Sequence, residues 1–144
     1  MKYIYSFNDY SKDINIITEY LKGLYRDIHI VALYRGGLPL GVALSNRTNS
    51  PLSILNYQRY DGKSDEVEFI KNSDIVSSQL LIVVDDLIDE GITMTKSIEF
   101  LQKNFPNNPI EIYTIFGKKQ LQFSVKNTYL REHPSRWVHF EPWE

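Results

Sequence analysis

The sequence predicts an α/β fold: a doubly wound, mostly parallel sheet with helices on both faces. Three observations carry this. Short apolar runs, "IHIVALY" (28–34), "LLIVVD" (80–85) and "PIEIYTIF" (109–116), read as strands covered on both sides. Stretches of helical period lie between such runs. Strand and helix alternate at the spacing of βαβ units.

In chain order, "YIYSF" (3–7) alternates weakly and is expected as a short first strand. From Asp9 the apolar positions Tyr10, Ile14, Ile17, Leu21 and Leu24 step by four and three, one face of a helix. Asn8 or Asp9 is its expected N-cap. After the strand at 28–34, Gly36 and Gly37 turn the chain, and "LPLGVALSN" reads as a helix with Pro39 in its first turn. "PLSILNYQ" (51–58) is the next strand. The strand at 80–85 leads into a helix whose apolar face is Met94, Ile98, Leu101 and Phe105, and 109–116 closes the series.

Residues 60–78, "YDGKSDEVEFIKNSDIVSS", interrupt the alternation with five acids against two lysines. They read equally as a solvated loop or surface hairpin and as a lid over a site. At 144 residues the chain is expected to form a single domain, 1–144. With 16 basic and 18 acidic residues there is no broad basic footprint, which argues against nucleic acid as a partner. No apolar run approaches the ~18 residues that span a bilayer, and the N-terminus lacks a signal-peptide stretch, so no membrane association and a cytoplasmic location are expected. The absence of cysteine removes disulfides, thiolate nucleophiles and Cys-based zinc sites.

The segment that points to function is "LLIVVDDLIDEGITMTK" (80–96). An apolar strand runs into Asp85, Asp86, Asp89 and Glu90, then into Gly91 and Thr93. In an open parallel sheet, ligands sit beyond the carboxyl ends of the strands. Backbone N–H groups around Gly91, with a helix N-terminus behind them, suit an anion. The neighbouring carboxylates suit sugar hydroxyls, or Mg²⁺ through water. A sugar phosphate meets both demands. The plainer alternative is a strand-ending acidic turn that binds nothing. A Walker B strand is a poor reading, because its glycine-rich partner loop is absent: Tyr57 stands where the first glycine of a G-x-x-x-x-G-K-S match should be. A receiver domain places its acidic pair after the first strand, not in mid-chain.

"IVVDDLIDEGITMT" resembles the phosphoribosyl-diphosphate (PRPP) motif of type I phosphoribosyltransferases. "VALYRGGLPLGVALSN", "IYTIFGKK" and "SRWVHFEPWE" are similar, in order and spacing, to segments of the bacterial xanthine-guanine and hypoxanthine-guanine members. The resemblance implies transfer of the phosphoribosyl group from PRPP to a 6-oxopurine (guanine, hypoxanthine or xanthine), as in purine salvage, with Mg²⁺ as cofactor and a homodimer or homotetramer as the assembly. It implies that Asp85 and Asp86 hold the ribose hydroxyls and the metal, and that Asp89 is the general base facing purine N7. Glu90, Gly91, Ile92 and Thr93 would form the 5′-phosphate loop. Arg35 and Gly36 would form the pyrophosphate loop, whose peptide is often cis in relatives. Lys118 would donate to the 6-oxo group, Trp137 would stack on the base, and Val138 would offer its carbonyl to a 2-substituent. Residues 60–78 would be the mobile hood.

Some alternatives remain open at this level. Arg35 also reads as a surface cation and Trp137 as a core aromatic. Glu141 and Glu144 are equal candidates for the metal. His29, His133 and His139 lack ligand spacing and read as structural or surface residues. Glu90 departs from the family, which usually has Thr there. A PRPP-binding regulator of the same fold, binding RNA or another partner with little catalysis, is the competing class; the modest cluster Lys118, Lys119, Lys126, Arg131 and Arg136 is its support.

Overall fold

Ser6, not Asn8 or Asp9, starts the first helix. Its hydroxyl accepts from the Asp9 N–H at 3.1 Å, and the Asp9 carboxylate accepts from the Ser6 N–H at 3.0 Å, a reciprocal capping box. The structure, a computed structural model, describes residues 1–60, 62–71 and 73–144. Its elements are β1 (Tyr3–Tyr5), α1 (Phe7–Lys22), β2 (Ile28–Leu33), α2 (Leu38–Thr48), β3 (Leu52–Gln58), β4 (Glu66–Lys71), β5 (Leu80–Leu87), α3 (Ile92–Asn104), β6 (Ile110–Gly117), β7 (Lys126–Glu132) and β8 (Val138–Phe140).

The main sheet has six strands in the order β4-β3-β2-β5-β6-β7. All its pairings are parallel except β3 with β4. Alternate residues of the central strands face opposite layers. Ile30, Ala32, Ile82 and Val84 pack with Ile14, Ile17 and Leu21 of α1 and Leu40 and Leu44 of α2. Val31, Leu33, Leu81 and Val83 pack with Met94, Ile98 and Leu101 of α3. Helices thus cover both faces, as the continuous apolar strands require. No described helix is long and apolar enough to cross a membrane.

Two strands, β7 and β8, escaped the sequence reading, and the hairpin reading of 60–78 is met in part by β4, an edge strand antiparallel to β3. β4 lies in the polar 60–78 segment, where Val67 and Phe69 face the α3 layer while the alternate positions are exposed. Within that segment, Asp61 and Asn72 lie outside the described residues. β7 is an edge strand of mixed polarity. β8 is only three residues long and pairs with β1, away from the main sheet: Tyr3 is opposite Val138 and Tyr5 opposite Phe140.

This small two-stranded sheet docks on the end of β6 through aromatic edges. Tyr3 and Tyr5 meet Phe116 with ring centroids 5.7 and 5.6 Å apart, and Phe140 stacks on Trp143 at 4.9 Å. Polar contacts pin it as well. Buried Asp13 of α1 accepts from Tyr5 Oη at 2.8 Å and from Arg131 Nε of β7 at 2.7 Å. Burial and the adjacent Asp13 push the Tyr5 phenol far up, so it stays a neutral donor. His29 is buried in β2 against Ser53 at 2.7 Å, and burial lowers its pKa, in keeping with a structural role.

Candidate functional site

The strand order turns from descending to ascending between β2 and β5, the point at which an open parallel sheet forms its ligand crevice. The loop after β2 and the carboxyl end of β5 meet there. A cis peptide joins Tyr34 to Arg35. A Cβ on Gly36 would stand 2.5–2.6 Å from the Asp86 carboxyl atoms, so only glycine lets this loop lie flush against that carboxylate. Arg35 itself is exposed.

Asp85 and Asp86 end β5 side by side and half-buried. Asp85 Oδ1 accepts from the Asp86 N–H at 2.9 Å, and Asp86 Oδ1 accepts from the Leu87 N–H at 2.7 Å. Burial, then the neighbouring Asp86 charge, holds Asp85 well above the ordinary carboxylate range; burial raises Asp86 too. Among the described residues no cation is paired with either group. The pair is therefore a set of hard oxygen donors, poor at holding two negative charges until a cation arrives.

These donors fit Mg²⁺. No cluster of three or more protein ligands exists among the described residues. Mg²⁺, however, is commonly held by one or two carboxylates with water and phosphate oxygens completing the shell. Of the two C-terminal candidates, Glu144 lines the cavity beside Asp86, whereas Glu141 Oε1 accepts from the Phe7 N–H at 3.3 Å, away from it. Glu144 is also tied back, accepting from the Phe140 N–H at 3.0 Å.

A cavity of about 390 Å³ opens in front of the β5–α3 junction, lined by Asp85 and residues 87–94. Gly91, at φ +87°, is the N-cap of α3, a conformation that side-chain-bearing residues rarely adopt. It turns the first free N–H groups of the helix toward this cavity. Thr93 is exposed within it, and Glu90 is exposed with no ion pair among the described residues. Glu90 thus stands at the exposed rim of this cavity with its carboxylate unpaired among the described residues. Arg59, just past β3, supplies the cavity's cation. Sequence reading missed it; the only signal was a base at the carboxyl end of a strand.

An adjoining cavity of about 690 Å³ shares Leu87 and Asp89 with the first and is lined by Lys118, His133, Trp137 and Val138. Lys118 Nζ donates to Asp89 Oδ1 at 2.7 Å, and His133 Nε2 lies 3.7 Å from the same oxygen. The Lys118 hydrogen bond holds the Asp89 carboxyl below its ordinary range. Trp137 is 68% exposed at the rim and no core aromatic, whereas Val138 is buried. The Tyr3 N–H donates to the Trp137 carbonyl at 2.8 Å, so β1 fixes the backbone beneath that indole. The Glu141 N–H donates to the Tyr5 carbonyl on the same side, which by strand alternation turns the Val138 peptide away from β1. Every residue expected in the base and phosphate sites lines one of these cavities except Arg35 and Gly36, which border Asp86 from the β2 loop.

A family model described as the phosphoribosyl transferase domain matches residues 7–141. The chain belongs to the type I phosphoribosyltransferase family. Its fold resembles a purine phosphoribosyltransferase from Pyrococcus horikoshii Ot3, at TM-score 0.80 and 25% identity over 99% of this chain and 93% of that one. It also resembles the Helicobacter pylori xanthine-guanine-hypoxanthine phosphoribosyltransferase, at TM-score 0.79 and 20% identity over 97% and 92%. A Listeria monocytogenes serotype 4b (strain F2365) protein named putative ribose-phosphate pyrophosphokinase 2 is 32% identical over 95 residues. That match spans 65% of this phosphoribosyltransferase-family chain but 30% of the relative's length.

Proposed function

We propose that the protein is a purine phosphoribosyltransferase that joins the phosphoribosyl group of PRPP to a 6-oxopurine, yielding a nucleoside 5′-monophosphate and pyrophosphate in the cytoplasm. The observation that carries this reading is the pair of adjoining cavities with Asp89 at their border: one lined by acids and helix-terminal amides, the other by a lysine, an indole and a buried valine. A 5′-phosphate suits the first and a purine the second. The anomeric carbon then lies between them.

In the reaction, purine N9 bonds to ribose C1 as the C1–O bond to pyrophosphate breaks, and the electron pair leaves with the pyrophosphate oxygen. The N7 proton of the base passes to Asp89. Asp85 and Asp86 hold the ribose hydroxyls; the amides at residues 90–93, with Thr93, hold the 5′-phosphate. Arg35 and Gly36 flank the departing pyrophosphate. Asp85 and Asp86 would also hold Mg²⁺, whose contribution when bound is to neutralise phosphate charge. The expected hood at 60–78 is narrowed by β4, whose Val67 and Phe69 pack on the α3 layer; residues 62–65, between Arg59 and β4, are the part that would close over the phosphates.

Lys118 favours a base with an acceptor at position 6 and disfavours the amino group of adenine. Trp137 lies at the rim where it can cover the base, and the Val138 carbonyl can accept from a 2-substituent. Incubation with PRPP, Mg²⁺ and a panel of bases, read by mass spectrometry, tests all of this. The expected products are the monophosphates of hypoxanthine, guanine or xanthine. No nucleotide from any base, with PRPP still bound, would favour a regulator; efficient use of adenine would defeat the role of Lys118.

A further inference from the structure

His133 has no part in the assignments above, yet it faces Asp89 and is tied on both its backbone and its ring. Its own N–H donates to the Gly117 carbonyl at 2.7 Å, fixing it beside the end of β6, next to Lys118. Ser135, at φ +59°, is bent so that its N–H donates to His133 Nδ1 at 3.0 Å. A left-handed backbone is uncommon for serine, and here it serves that hydrogen bond. Since Nδ1 accepts, the proton of the neutral ring sits on Nε2. That N–H lies at the wall of the base cavity, with its nitrogen 3.7 Å from Asp89 Oδ1, and the side chain is only 10% exposed.

Asp89 by contrast is 67% exposed, and among the described residues its one close partner is Lys118. The proposed reaction gives Lys118 a different task, to reach the 6-oxo group of the base. Once it turns there, Asp89 loses its anchor at the moment it must accept a proton in one orientation. We propose that His133 is the positioning residue for Asp89: its Nε2–H closes onto Oδ1 when Lys118 engages the base, leaving Oδ2 free to face purine N7. This inference rests on the transfer reaction proposed above. It adds a residue whose side chain need not touch the substrate, and it explains why the loop commits a strained serine to orienting one imidazole.

The test compares His133→Phe, which keeps a ring and removes the donor, with His133→Gln, whose amide can place an N–H near the position of Nε2. The expected result for His133→Phe is a kcat lower by about tenfold, the worth of one hydrogen bond to a charged group. Its KM for PRPP should stay within about twofold, since the phosphate cavity is untouched. The acid limb of its pH–kcat profile should move to higher pH, because a carboxylate that loses a donor is easier to protonate. His133→Gln should recover most of both changes. An unchanged kcat and acid limb in His133→Phe, or a Gln variant as impaired as Phe, overturns the proposal. Nitrogen-15 NMR of the wild-type ring adds a readout free of turnover: a neutral Nε2–H tautomer is expected, and Nδ1–H overturns the geometry. Wild type that forms no nucleotide from PRPP and any base overturns the transfer reading itself, and the role of His133 falls with it.

Discussion

The proposed phosphate half and the proposed base half of the site are built by different means. The phosphate half comes mainly from one continuous stretch, the end of β5 and the start of α3, and its donors are largely backbone amides. The base half gathers Asp89, Lys118 at the end of β6, His133 after β7, and Trp137 and Val138 at the edge of β8, and it leans on β1 through the Tyr3–Trp137 hydrogen bond. A site made of local backbone can tolerate changed side chains, and Glu90 is the position that tests this. A site assembled from distant segments depends on each of them. Substitutions in the two halves should therefore affect different steps.

The largest expected effect is at the border. Asp89→Asn should lower turnover by ~10²–10⁴, the usual worth of a positioned acid–base group, with PRPP affinity kept. Calorimetry that finds PRPP binding lost in step with the rate would erase the division between the halves. Next, Lys118→Met should raise the KM for the base by about tenfold or more, the worth of one charge-assisted hydrogen bond, without altering PRPP binding. A parallel loss of PRPP affinity would place Lys118 in the phosphate half instead.

Asp85→Asn sharpens the comparison through stability. Burial and the Asp86 charge raise the Asp85 carboxyl, so the folded state holds this proton more tightly than the unfolded chain does. The resulting stabilisation is complete below the ordinary carboxylate pKa of about 3.9 and is lost as pH rises through the raised value. Above that raised value the ionised Asp85 is a burden that Asp85→Asn removes, so the variant's gain in Tm over wild type should grow with pH, reaching about 2–4 °C, corresponding to ~1 kcal/mol for a domain of this size. The same variant should lose the further rise in Tm that PRPP with Mg²⁺ gives wild type. Scanning calorimetry of both proteins, with and without those ligands, decides it; a lower Tm for the variant would mean that the acids stabilise the junction.

The smallest effect is expected at Glu90. Because it is exposed, its charge is mostly screened, and Glu90→Thr should tighten PRPP only a few-fold with kcat nearly unchanged. Tighter binding by wild type would show that the carboxylate turns inward to a cation.

The same contrast explains what could be read from sequence. "LLIVVDDLIDEGITMT" displays its chemistry in consecutive residues, so the strand, the acids and the glycine turn were legible physically, and with them the proposal of a phosphate loop. Lys118, Trp137 and Val138 were reached only through family resemblance, because nothing local ties "GKK" to "RWV". Arg59 went unnoticed for the same reason, lying at the far end of a strand from residues distant in sequence, and His133 was read only as structural or surface because nothing local ties it to Asp89. Ser6 was passed over as N-cap because the apolar period becomes clear only at Tyr10, although Ser6 and Asp9 have the spacing of a capping box. β8 is too short to show a period at all.

The pairing of β1 with β8 also bears on the order in which the molecule comes into being. Of the strands described, β1 leaves the ribosome first and β8 last, and neither has another strand partner. Contacts this remote in sequence form late, because the loop-closure entropy is met before they reward it. The β2–α2–β3 and β5–α3–β6 units, with the PRPP crevice between them, can assemble while β1 still waits. Base recognition would then be the last capability the chain acquires, and a nascent or nicked chain lacking β8 would hold a sugar-phosphate crevice before it could choose a base.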